Sequence, residues 1–214
     1  MNGKRTGHAL ALAIAITASS SASAQVGRRA GMLDPNVASE AELRALPNIT
    51  DALATMIVAR RPFLTMAEFD ATISPSLARD VRAELYRRAF VPLNLNSASR
   101  EEILLIPGMG ARMLRQFQEN RPYRGLTTFR AEIGRGIAEN ELARLEQYVY
   151  APMDLNSASD EDILGIPGVS PKLLKEIKEH RPFKNVQDFR KEVGKSWGQK
   201  EVARLERYLV LTAP

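Results

Sequence analysis

Cysteine is absent from the 214 residues. That excludes a disulfide scaffold, a thiolate-held zinc or iron–sulfur site and a thiol nucleophile. Histidine is almost absent: only His8 and His180 occur, too few for a metal centre or proton relay built from imidazoles. Long apolar runs are missing as well. The most apolar stretch, Ala9 to Thr17, falls far short of the ~20 residues that span a bilayer, so no membrane insertion is expected once that stretch is removed. Nor is there a large excess of one charge, since 30 Lys and Arg face 25 Asp and Glu. No cofactor, metal or catalytic residue is expected from this inventory.

What is present begins with a leader. Lys4 and Arg5 precede the apolar stretch, and a Ser/Ala run ends at Ala22-Ser23-Ala24. This is the three-part layout of a secretory signal peptide cleaved after Ala24, and it predicts a periplasmic or secreted protein. The pair Arg28-Arg29 lies after the apolar run, so it is not a twin-arginine signal. Processing removes two basic side chains and leaves 28 against 25 acids. With 44% hydrophobic residues, the remainder has enough apolar content for a folded core without disulfides.

The remainder repeats itself. Asn36, Asn96 and Asn156 are 60 apart, as are Pro47, Pro107 and Pro167; Arg61, Arg121 and Arg181; and Phe69, Phe129 and Phe189. Residues 93–152 and 153–212 laid together agree at 25 of 60 positions. The reading is therefore a signal peptide at 1–24, a linker at 25–32, and three units at 33–92, 93–152 and 153–214.

Within a unit the apolar spacing is helical and no alternating strand pattern occurs, so the fold is expected to be all-α. Ser39…Glu42, Ser99…Glu102 and Ser159…Asp162 read as capping boxes. In unit 2 the next helix is expected over 111–121, ending before Pro122, and the last over 139–149, burying Leu142, Leu145 and Tyr148 or Val149. Between the first two helices stands Ile106-Pro107-Gly108-Met109-Gly110. Two glycines there are expected to take positive φ and admit close approach of the backbone to a ligand. Met109 points to the core, and the free N–H groups of the following helix favour an anion.

These residues resemble a family. Leu95 to Gly110 with Arg121-Pro122-Tyr123, and Leu155 to Val169 with Arg181-Pro182-Phe183, are similar to the helix-hairpin-helix module of the ComEA-like competence DNA receptors. The resemblance spans nearly the whole processed chain, as three modules. It implies two helical hairpins per module and sequence-independent binding of double-stranded DNA through backbone N–H groups on phosphates, with a role in DNA uptake. The candidate DNA-binding residues are Gly108, Met109, Gly110, Arg112 and Arg115 in unit 2, and Gly168, Val169, Ser170, Lys172 and Lys175 in unit 3. Similar modules also serve structurally, as in a lumenal subunit of photosystem II, so a scaffold or protein-interaction role without DNA is the alternative.

Departures from the pattern are uneven. Unit 1 reads Leu46-Pro47-Asn48-Ile49-Thr50 and has lost both glycines, with Ala52 and Thr55 in place of Arg112 and Arg115. It reads as a degenerate module that serves as a scaffold or as a protein contact. Unit 1 carries 7 basic and 8 acidic side chains, unit 2 carries 8 and 7, and unit 3 carries 11 and 10. None has the basic excess usual in duplex binders.

Other residues have plainer expectations. Arg61, Arg121 and Arg181 are expected to complement the carbonyls of the helix each one ends. Trp197 is assigned to the core and His180 to the surface. The run Ile166 to Lys172 is also similar to the hairpin of base-excision glycosylases. Those enzymes need a base pocket and a partner carboxylate. Asp188, the nearest downstream acid, answers to Thr128 and Asp70 in the other units, an uneven surface position, and no enzyme activity is expected.

Overall fold

The computed structural model describes residues 25–29 and 31–211. The leader assigned to residues 1–24, with the export it predicts, lies outside them. Among the described residues the protein is mainly helical. The first sixty-residue unit holds α1 (Glu40–Arg44), α2 (Asp51–Arg60), α3 (Met66–Ile73) and α4 (Arg79–Leu85). Then come β1 (Leu93–Asn94), α5 (Arg100–Ile103), α6 (Ala111–Glu119), α7 (Leu126–Ile133), α8 (Glu139–Glu146) and β2 (Val149–Tyr150). The last stretch holds β3 (Met153–Asp154), α9 (Asp160–Gly165), α10 (Pro171–Glu179), α11 (Val186–Glu206) and β4 (Leu209–Val210). Gly198, at φ 77°, breaks α11 into two segments.

The local signals explain the helix starts. Ser39 and Ser99 form reciprocal capping boxes with Glu42 and Glu102. The third box is incomplete. The Asp162 N–H donates to Ser159 Oγ, but the shorter Asp162 carboxylate does not return to the Ser159 backbone and instead accepts from the Ser159 hydroxyl at 2.7 Å.

The all-α expectation needs one correction: units 2 and 3 are each closed by a short parallel strand pair. β1 pairs with β2 and β3 with β4, and unit 1 has the single bridge Leu33–Ala89. Consequently α8 stops at Glu146 rather than Val149, because Leu93 N–H takes the Tyr148 carbonyl at 2.8 Å and Leu95 N–H that of Tyr150 at 2.9 Å. α6 likewise ends at Glu119, two residues before Arg121.

The repeated polar residues hold each unit's entry turn to the segment after its second helix. Asn96 donates to the Tyr123 carbonyl at 2.9 Å and accepts from the Tyr123 N–H at 2.7 Å. Asn36 and Asn156 do the same with Phe63 and Phe183. The arginines at the helix ends do not cap their own helices. Arg121 reaches back to the carbonyls of Leu95 and Ala98, both at 2.7 Å. Arg61 holds Pro35 and Ala38, and Arg181 holds Ala158. Burial lowers the pKa of all three below the ordinary guanidinium value, because desolvation disfavours the charged form. The bonds span 23 to 26 residues, so helix-end arithmetic could not find them.

Units 1 and 2 share one apolar core running from Met32 to Ala151, while residues 150–211 form a second. Phe90 meets Tyr148 edge-on at 4.9 Å across the first boundary, and the Glu102 carboxylate accepts the Met66 N–H at 3.0 Å, capping α3 from the neighbouring unit.

Residues 25–29 are not a passive linker. Gly27 donates to the Val149 carbonyl, and Ala151 donates to that of Gln25, so Val26 lies antiparallel to Tyr150. The Gln25 N–H also reaches Asp162 at 3.2 Å. A Cβ on Gly27 would stand 1.7 Å from the Glu146 carbonyl oxygen, so only glycine fits that crossing. This segment straps unit 1 across units 2 and 3.

Candidate nucleic-acid interface

The same inter-helix turn is built three times. In unit 2 Met109 N–H bonds the Ile106 carbonyl at 3.0 Å, and Gly108 adopts φ 82°. Gly168 takes φ 81° at the equivalent place in unit 3. In unit 1 that position is Asn48, the one described non-glycine residue with positive φ, at 64°. Asparagine tolerates the left-handed region through its short polar side chain. Unit 1 has therefore lost the glycine but kept the turn.

The second glycine of the motif does something else. Gly110 has φ −101° and ψ 166° and is the N-cap of α6, with no side chain capping the helix. A Cβ there would meet nothing within 4 Å. The expectation of two positive-φ glycines is thus corrected to one. In units 1 and 3 the corresponding residues, Thr50 and Ser170, accept the N–H groups of Leu53 and Leu173 at 3.2 Å. Replacement of hydroxyl by glycine leaves the start of α6 without a side-chain acceptor. Its first N–H groups, with the positive end of the helix dipole, are directed at the surface.

An arginine from the last helix of the unit holds the turn. Arg144 Nη1 donates to the Pro107 carbonyl at 2.7 Å while its fork pairs with Glu141, both bonds at 2.7 Å. Hydrogen bonding to Glu141 raises the Arg144 pKa, and the same bond lowers that of Glu141. Arg204, buried beside Glu201, makes the equivalent contact to the Pro167 carbonyl. Sequence reasoning missed this lock. Its signal was the shared recurrence of Arg144 and Arg204 with Pro107-Gly108 and Pro167-Gly168, broken in unit 1 by Glu84.

The remaining candidates separate by unit. Met109 is half-buried against the shared core, and Arg112 and Arg115 are exposed on α6. Among the described residues neither arginine has an ion pair. In unit 3 the Lys172 ammonium lies 5.8 Å from the Trp197 ring centroid, and Lys175 stands 3.7 Å from Glu179. Val169 packs on the second core. Trp197 is half-buried, with its indole N–H donating to Glu176 at 2.6 Å. His180 is exposed. Gly168 faces the rest of the protein: a Cβ there would come 2.6 Å from Val37 Cγ1 of unit 1. The two glycine turns therefore differ, one with an uncapped helix behind it and one packed against a neighbour.

No cluster of three His, Asp or Glu that could hold a metal occurs among the described residues, and none of their helices is long and apolar enough to cross a membrane. Comparison with known proteins finds no matching family model, no matching curated protein and no matching solved structure.

Proposed function

We propose that this protein is exported and binds double-stranded DNA without regard to sequence, through three tandem helix-hairpin-helix modules of ComEA-like type, in DNA uptake. The observation that carries the reading is the turn of unit 2. There Gly108 at φ 82° precedes a helix whose N-cap has no side chain, with Arg112 exposed in its first turn and Arg115 exposed in its second. Backbone N–H groups, a helix dipole and two uncommitted guanidinium groups are complementary to successive phosphates. Export rests on the Ala22-Ser23-Ala24 site and the apolar run before it.

Phosphate contacts position a duplex but carry no base information. Two 30-base-pair duplexes of unrelated sequence should therefore bind residues 25–214 with dissociation constants that agree within about twofold. A preference of tenfold or more in a binding titration would contradict the backbone mode.

A second reading, a scaffold that uses its turns for protein contacts, is favoured by one observation: the unit 3 turn meets Val37 of unit 1 at Gly168. In the proposed function unit 3 accordingly serves mainly to support, and unit 2 to bind. Unit 1, with Asn48 and Thr50 in its turn, is the unit free to meet a protein partner.

A further inference from the structure

Unit 1 lacks the glycine turn, yet its last helix borders the one in unit 2. A groove of about 210 Å³ lies between them, lined on one side by Asp70, Arg79, Arg82 and Tyr86 and on the other by Leu104 to Met109. Most of its charge is already committed. Arg82 pairs with Asp70 at 2.8 Å and donates to the Leu77 carbonyl at 2.7 Å. The Tyr86 hydroxyl donates to the same Asp70 oxygen. Arg79 is exposed, and among the described residues its side chain has no ion pair and no hydrogen bond.

Arg79 is also badly placed for its own helix. It is the first residue of α4, which has Ala78 as N-cap and no side-chain cap. A cation at that end opposes the helix dipole, and the dipole is complemented instead by the next residue, Asp80, the acid of this first turn. The repeat offers the comparison within one chain: position 139 in unit 2 is Glu and position 199 in unit 3 is Gln. A residue that breaks a local rule without a compensating contact inside the fold is a candidate for an external one.

We infer that Arg79 of unit 1 is a phosphate-contacting residue of the duplex-binding surface, completing from across the groove the site built on the turn of unit 2. The inference rests on the duplex-DNA reading above. The bound surface is then shared between two units. Arg79 of α4 lines the same groove as the Gly108 turn, and Arg112 and Arg115 follow that turn on α6. Such an arrangement fits a continuous phosphate backbone better than an isolated anion, because three separated guanidinium groups need three separated charges. It also assigns unit 1 a share in DNA contact that its own turn does not suggest.

The test is duplex binding by the processed chain, residues 25–214, at several salt concentrations, for wild type, Arg79→Ala, Arg79→Glu and the control Arg87→Ala. Arg87 is exposed, pairs with Glu84 at 3.4 Å and does not line the groove. Arg79→Ala should weaken binding about threefold to tenfold and reduce the magnitude of the log–log salt slope by about 1. Arg79→Glu should weaken it further, and both variants should melt at or above the wild-type temperature because an unfavourable cation has been removed. Arg87→Ala should change affinity by less than twofold. Wild-type affinity and slope in Arg79→Ala would overturn the inference while leaving the DNA reading intact, as would an equal loss in Arg87→Ala. Absence of duplex binding by the wild type overturns both together.

Discussion

Replacing Arg29 by methionine should lower the melting temperature of the processed chain by roughly 10 °C, one of the largest effects of any single side chain. Arg29 is buried against the closure of unit 1. Its Nη2 donates to the Leu33 carbonyl at 3.0 Å and to that of Phe90, and Nη1 lies 3.3 Å from Asp34, whose side chain is only 2% exposed. Burial lowers the guanidinium pKa, and the Asp34 charge opposes that shift. Methionine fills similar space but strands the Asp34 carboxylate in the interior. Removing one partner of a buried pair costs about 3–5 kcal/mol. Asp34 Oδ1 also accepts the Asn36 N–H at 2.9 Å, a bond that Asn94 makes with Asn96 in unit 2 without any carboxylate. Arg29→Met with Asp34→Asn should therefore recover much of the loss. Thermal unfolding of the three variants checks this, and an unchanged melting temperature in Arg29→Met would mean that the N-terminal strap contributes nothing.

Gly108→Val should reduce duplex binding at least tenfold. A β-branched residue at φ 82° costs about 1–3 kcal/mol of backbone strain, which the turn can relieve only by abandoning the geometry that presents the start of α6. Its Cβ would also press toward Arg144 Nη2, 3.5 Å away, and disturb the lock on the Pro107 carbonyl. Two controls separate turn geometry from general damage. Gly108→Asn copies Asn48, which holds the same turn at φ 64°, and should fold like the wild type. Gly110→Ala places a methyl group in open space at φ −101° and should also leave the fold unchanged. Duplex affinity in Gly108→Val equal to that of the wild type would show that the turn is not a contact.

The contrast between those two glycines marks where sequence reasoning reached and where it stopped. Local chemistry was legible. Ser39 and Ser99 name their helix starts because the partners stand three residues away. The 60-residue interval separates the repeated parts because the same residues return on it. Gly108 is legible as a turn because few other residues hold that φ. Gly110 looked equivalent in the string, but its role is the absence of an acceptor, visible only beside Thr50 and Ser170 in their capping geometry.

What depended on distant partners was not legible. Arg121 ends a helix and so invited a helix-end role, yet its acceptors are Leu95 and Ala98. Residues 25–29 have no periodicity and looked like a linker. Their order comes from backbone bonds to Val149 and Ala151, more than a hundred residues away. The strand pairs are two residues long, below the length at which alternation registers. In the candidate site, Arg112 and Arg115 were assigned from their spacing behind the turn, whereas Arg144 and Arg79 approach that turn from other helices and needed the folded chain.

The measurement closest to the central claim is the affinity of residues 25–214 for a duplex as salt is raised from about 50 to 200 mM, the range over which counterion release is read. Among the described residues, the cations without an ion pair beside the unit 2 turn are Arg79, Arg112 and Arg115. Each phosphate neutralised contributes about −0.9 to the slope of log affinity against log salt, so a slope of about −2 to −3 is expected. A basic-faced duplex binder would give a far steeper line. Binding with that shallow slope is the result this account predicts; no binding near 50 mM salt would contradict it and leave the turns as contacts between units.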